Sequence, residues 1–165
     1  MLCRNAMVPQ VITAGPDDTI GNALALLGQH GTRAVPIVHA GGVLIGWFNS
    51  DVILPNLLLG RITVEHHGLE AVILRLDYPV DAEDSVAKCL ATVSAVKLRE
   101  VMSADLKLVH PNTPLWEGIR MLFRHGSPIP LVQESTGRLL GLLSVQSAIC
   151  ELAELRDNCA EKSHR

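Results

Sequence analysis

Two stretches of this chain end an apolar run on side chains able to do chemistry. The first reads Gly46-Trp47-Phe48-Asn49-Ser50-Asp51, and the second reads Gly141-Leu142-Leu143-Ser144-Val145-Gln146-Ser147. A carboxylate beside an amide and a hydroxyl accepts hydrogen bonds from a polar ligand, and charge-assisted bonds contribute roughly 1.5–3 kcal/mol each when water is excluded. The second stretch offers hydroxyls and an amide but no carboxylate, and is neutral. Both stand where a strand gives way to a helix, and the N–H groups of a helix start favour anions.

The remaining reactive residue types form no constellation. His66-His67 are adjacent, so they share neither a helix face nor a strand face, and they read as a solvated loop pair rather than a metal site. Cys3, Cys89, Cys150 and Cys159 are irregularly spaced with no CxxC pair, as expected of buried or incidental thiols in a reducing compartment. His30 and His125 stand where helices should end, where a cation suits the dipole. Trp47 and Trp116, in a chain that is 3% aromatic, are expected in the core or at a dimer interface rather than stacked on a base. There is no supported nucleophile–base pair and no GxxxxGK[ST] loop, so no enzyme is expected.

Composition narrows the class further. At 165 residues the chain can bury roughly 70% of its unfolded surface without disulfides or metals. A net charge of −3 and a pI near 6.1 argue against nucleic acid, which requires a basic face. No apolar run reaches the ~20 residues of a membrane span, and MLCRNAMVPQV lacks the features of a signal peptide. A cytoplasmic protein is expected.

The elements that must position the two polar closures occur twice. Sliding the chain against itself by 95 residues aligns Met7 with Met102, Pro16 with Pro111, Asp18 with Thr113 and His30-Gly31 with His125-Gly126. After a one-residue slip that matches Pro36 with Pro130, the offset returns at Gly42/Gly137, Leu44/Leu139 and Gly46/Gly141. Glycine and proline matches weigh most because they fix backbone geometry. In the first copy Asp18 is the candidate N-cap of a helix carrying Ile20, Ala23, Leu24 and Leu27, stopped by Gly31. In the second, Thr113 caps, Pro114 takes the first helical position, Leu115, Ile119 and Leu122 form the stripe, and Gly126 stops it. Strands follow at Ala34–Val38 and Val43–Phe48, and at Ile129–Val132 and Arg138–Ser144. A second helix should start near Asn49–Asp51, and its counterpart at Ser144 with Ala148, Ile149, Leu152 and Leu155 on its apolar side. Asp84-Ser85 opens a helix through Leu98. Residues 61–83 alternate in patches that fit either a hairpin or a helical excursion. The unit is strand, helix, strand, strand, helix, in an α+β fold.

This ordered set resembles a tandem pair of CBS (cystathionine-β-synthase-type) domains, a Bateman module. The residues that carry it are Ala6-Met7-Val8-Pro9 and Val101-Met102-Ser103 at each opening, the helices ending His-Gly, the strands Val35-Pro36-Ile37-Val38 and Ile129-Pro130-Leu131-Val132, and the glycine turns. The resemblance implies repeats at 1–60 and 98–157 related by a pseudo-twofold axis, a linker or insert at 61–97, and a disordered tail at 158–165. It implies a homodimer, acting free-standing or on a target protein in trans. No cofactor is required, but AMP, ADP, ATP or a relative is expected as a regulatory ligand in the cleft between the repeats.

The family pocket uses glycine, two apolar residues, Ser or Thr, two variable residues and Asp, the carboxylate accepting both ribose hydroxyls. Here the aspartate comes one residue early. Asn49 stands at the hydroxyl position, and either the turn is shortened so that Ser50 and Asp51 take the two roles, or Asp51 is a helix-start carboxylate. In the second copy Ser144 is in register and Ser147 replaces the aspartate; Ser144 is a ligand group or a plain N-cap. Arg33 is a phosphate contact or an ordinary surface arginine, and Thr13, Val35 and Pro36, with Ile129 and Pro130 as counterparts, are nucleoside contacts. The competing reading is a degenerate pair that binds no nucleotide and serves as a dimerisation or docking module.

Overall fold

A computed structural model describes residues 1–49, 61–64, 72–75 and 83–163. Their elements are α1 (Ile20–His30), β1 (Ala34–Val38), β2 (Leu44–Asn49), β3 (Arg61–Val64), β4 (Val72–Arg75), α2 (Glu83–Ser94), α3 (Leu98–Val101), α4 (Leu115–His125), β5 (Ile129–Val132), β6 (Leu139–Leu143) and α5 (Val145–Ser163). The chain divides into two compact units. A first-copy unit comprises Ile12–Gly41 and Ile45–Leu106, and a second-copy unit comprises Met1–Val11, Gly42–Leu44 and Lys107–Arg165.

In the first-copy unit α1 starts at Thr19, whose side chain accepts from the Asn22 N–H, and stops at Gly31 in the left-handed region at φ 60°. Ile20, Ala23 and Leu27 face inward at helical spacing. They meet Val35, Ile37 and Phe48 from the strands and Val93 and Leu98 from α2 and α3. Each large side chain so buried contributes roughly 1.5–3 kcal/mol. Strand β1 gains a parallel neighbour: the Ala14 N–H donates to Pro36 O at 3.1 Å and the Val38 N–H to Ala14 O at 2.9 Å. Strand β2 gains an antiparallel one, Trp47 and Ser103 exchanging N–H···O bonds of 3.0 and 2.9 Å.

The second-copy unit repeats these bonds at the 95-residue offset, with β5 keeping the one-residue slip. The Val109 N–H donates to Pro130 O at 3.0 Å and the Val132 N–H to Val109 O at 2.9 Å. Val8 and Leu142 exchange bonds of 2.9 and 3.0 Å. Its core gathers Cys3, Leu115, Leu122, Ile129, Leu131 and Leu143.

Each unit thus takes its outer strand from the opening segment of the other copy. Met7-Val8 opens the first copy in sequence yet pairs with β6, while Met102-Ser103 pairs with β2. The glycine that interrupts β2 and β6 is explained by this docking. A Cβ on Gly46 would meet the Met102 side chain, with Cγ at 2.8 Å. A Cβ on Gly141 would meet Met7, with Sδ at 2.7 Å, and the Val8 carbonyl at 2.5 Å. Glycine is the residue that lets the methionine-bearing strand approach so closely.

Several local expectations are corrected. Asp18 does not cap α1; its Oδ2 accepts from the Gly15 N–H at 2.7 Å, and Thr19 caps instead. Thr113 likewise closes the preceding turn, its Oγ1 accepting from the His110 N–H at 3.2 Å, and Pro114 stands just before α4 rather than in it. The helix opened near Asp84 ends at Ser94, not Leu98. Beyond it Val96 O accepts from the Ile20 N–H at 2.9 Å, so tertiary pairing takes the backbone. The insert contains an antiparallel hairpin, with Ile62 opposite Leu74 and Val64 opposite Val72, which settles the open choice for those residues. The helix expected after Asn49 lies outside the described residues, apart from Asn49 itself, which ends β2. Helix α5 runs to Ser163, into the stretch read from sequence as tail.

One of the two glycines inside α1 has no such neighbour. A Cβ on Gly28 of α1 would meet nothing within 4 Å, and glycine within a helix is about 0.5–1 kcal/mol worse than alanine. Gly28→Ala should therefore raise stability by about 0.5–1 kcal/mol, read from the urea midpoint. An unchanged or lowered midpoint would contradict it.

Candidate functional site

In the first-copy unit the pairing of Ala14 with Ile37 brings the exposed Thr13 alongside β1, next to Pro36. Val35 and Pro36 themselves are buried, and the Pro36 carbonyl is taken by the Ala14 N–H. Arg33 is exposed immediately before β1, and Asn49 is half-buried at the end of β2. Ser50 and Asp51 lie outside the described residues.

The second-copy counterpart is described completely. Ile129 pairs with Leu143 and Pro130 with Leu142, so Ser144 follows directly on the strand end opposite Ile129. Ser144 and Ser147 then cap α5 reciprocally. The Ser147 N–H donates to Ser144 Oγ and the Ser144 N–H to Ser147 Oγ, both at 3.0 Å. Their hydroxyls also bond each other at 3.1 Å, and Ser147 Oγ donates to Ser144 O at 3.1 Å. This is a capping box with serine at both ends. It satisfies backbone donors at the helix start and leaves this half-site without a carboxylate.

A third hydroxyl, unnoticed in the sequence, joins them: Ser127 Oγ accepts from the Val145 N–H at 3.2 Å. The signal was present at the 95-residue offset, where Thr32 is its equivalent and donates to Ala34 O at 3.1 Å.

The other reactive types fall as follows. Cys3 is buried and Cys150 exposed. Burial pushes the Cys3 thiol above its ordinary value, aided weakly by Glu117 and opposed by a hydrogen bond from the Gly118 backbone. His30 and His125 stand in the last turns of α1 and α4. His66 and His67 lie outside the described residues, among which no group of three or more His, Cys, Asp or Glu could hold a metal ion. Among the same residues no helix is long and apolar enough to cross a membrane. Trp47 is half-buried on β2, but Trp116 is exposed, so of the two places expected for it the core is excluded.

The doubled arrangement of helix, strand pair, glycine and capped helix matches one family model, described as CBS domain, at residues 3–57 and 98–154. The chain belongs to the CBS domain family. Solved CBS-pair proteins share its fold at low identity. CBSX2 in complex with AMP is 16% identical, with a TM-score of 0.68 over 94% of this chain and 98% of that one. The CBS-pair protein CBSX2 from Arabidopsis thaliana is 16% identical, with a TM-score of 0.72 over 94% and 96%. MJ1225 from Methanocaldococcus jannaschii, proposed as an archaeal homologue of g-AMPK, is 18% identical, with a TM-score of 0.68 over 92% of this chain and 47% of that one. No curated protein sequence matches. The chain is therefore an α+β CBS pair with two repeats of the module.

Proposed function

We propose that this CBS pair is a regulatory module that binds an adenosine-containing nucleotide, AMP, ADP, ATP or a relative. It acts as a homodimer on a target protein in trans and runs no reaction of its own. The observation that carries the reading is the repeated strand end: in each unit a proline-bearing apolar strand stands beside a strand that closes on polar side chains. In the first-copy unit the strand ends on Asn49, which Ser50 and Asp51 follow in the sequence, with Thr13 at the neighbouring edge and Arg33 as the cation for phosphate. In the second they are Ser144 and Ser147, with Ile129 and Pro130. The AMP complex of CBSX2 supports the ligand class.

A specific observation favours a second reading, a nucleotide-independent docking module. The reciprocal bonds of Ser144 and Ser147 already occupy the groups a ribose would need. Thermal denaturation with AMP, ADP and ATP separates the two. A ligand at ten times its dissociation constant adds about 1.4 kcal/mol of stability, or roughly 3–6 °C for a chain of this size. No shift with any of the three nucleotides at millimolar concentration would leave the docking module as the function.

A further inference from the structure

The first copy carries an element that the second does without. In the second copy β6 ends at Leu143 and α5 starts at Val145, with Ser144 alone between them. In the first copy β2 ends at Asn49, and the next described helix is α2, which starts at Glu83. Helix α2 packs against α1 as α5 packs against α4, so the two are counterparts. The hairpin β3–β4 stands ahead of α2, in residues 58–97 that neither family match covers. The second copy builds its unit without a hairpin. This one therefore serves something other than the core.

Its two strands pair with each other and join neither β1–β2 nor β5–β6. Strand β3 approaches the rest of its unit at α3, which makes β4 the outer strand. The register sets Ile62 opposite Leu74 and Val64 opposite Val72, and these rungs share one face. Arg61 opposite Arg75 and Thr63 opposite Ile73 share the other face. Directly opposite residues stand roughly 5 Å apart, and like charges so placed destabilise a strand pair. Neither strand contains a carboxylate. Two arginines on one rung thus call for an anionic counter-group. A two-stranded hairpin is also marginal by itself, and an outer strand is a ready template for another.

We propose that the outer edge of β4 receives an extended acidic segment of a second protein as a third strand. A carboxylate would stand on the Arg61–Arg75 rung, and apolar residues on the rungs of Leu74 and Val72. The segment therefore alternates acidic and apolar residues. In such strand addition the backbone ladder gives affinity, and alternate side chains select the partner. Arginine suits the selecting position, because its planar guanidinium takes a carboxylate in bidentate form. A second copy of the hairpin does not fit, since its strands offer arginine and no carboxylate. The proposal rests on the target-protein part of the reading above and names its surface.

The test is fluorescence anisotropy of a labelled peptide of alternating valine and glutamate, titrated with the full chain. Two comparison peptides are used, one with lysine in place of glutamate and one with every backbone nitrogen methylated. Methylation keeps the charges but removes the donors that a strand needs. Wild type should bind the acidic peptide and not the lysine peptide. Binding should weaken roughly tenfold or more with the methylated peptide, and likewise in Arg61→Gln/Arg75→Gln. The methylated comparison uses the wild-type chain, so it holds even if the variant misfolds. No binding at millimolar peptide, or equal binding by the variant or the methylated peptide, overturns the proposal. The arginines would then serve only to keep this edge from pairing with copies of itself. A thermal shift with nucleotide but no peptide binding overturns this surface and leaves the nucleotide reading intact. Peptide binding without any nucleotide shift supports the surface within the docking-module reading.

Discussion

Gly141→Ala is expected to destabilise the protein by about 3 kcal/mol, the combined cost of overpacking and a displaced strand. The added methyl would meet the Met7 side chain and the Val8 carbonyl oxygen at 2.5 Å. A methionine can turn away, but that carbonyl is fixed by its bond from the Leu142 N–H at 3.0 Å. Relief therefore requires the Met7-Val8 strand to leave β6. Gly46→Ala is the matched control. The atoms nearest to it all belong to the Met102 side chain, so it should cost clearly less, about 1–2 kcal/mol. The measurement is urea denaturation of the two variants beside wild type. Equal losses would mean that the Val8 carbonyl gives way as easily as a side chain, and the account of the glycine would fail.

The repeat, its helices and the strand pairs were legible because glycine and proline recur in register and constrain the backbone wherever they stand. Which opening segment docks on which strand was not legible. Both copies present the same apolar edge and the same methionine, so pairing Met7-Val8 with β2 or with β6 satisfies the sequence equally. The choice is made by contacts distant along the chain. The caps missed by one or more residues for a local reason. Asp18 and Thr113 are short polar side chains that reach back to Gly15 and His110, and sequence spacing does not say which orphan N–H wins. The sequence left Trp116 between the core and an interface, and its exposure excludes the core. Of the candidate site, the polar closures were identified from residue type, whereas the serine capping box depended on geometry.

That capping box sharpens the last expectation, which concerns the two polar closures. If the first-copy set holds ribose through Asp51, the carboxylate accepts two charge-assisted hydrogen bonds. Asp51→Ala should then weaken nucleotide binding by about 1.5–3 kcal/mol, roughly ten- to a hundredfold. Ser147→Ala should behave differently. Its hydroxyl is committed to the Ser144 N–H and carbonyl, so its loss should appear mainly as a stability decrease of about 1 kcal/mol, as for other helix caps. Its effect on binding should stay at or below about 1 kcal/mol, the scale of one neutral hydrogen bond. Calorimetric titration of AMP and ATP into wild type and both variants, with thermal denaturation alongside, separates the two roles. Wild-type affinity in Asp51→Ala would reduce Asp51 to a helix-start carboxylate. A tenfold loss of binding in Ser147→Ala at unchanged stability would show that the second closure is a ligand site after all, with its serine bonds giving way to the nucleotide.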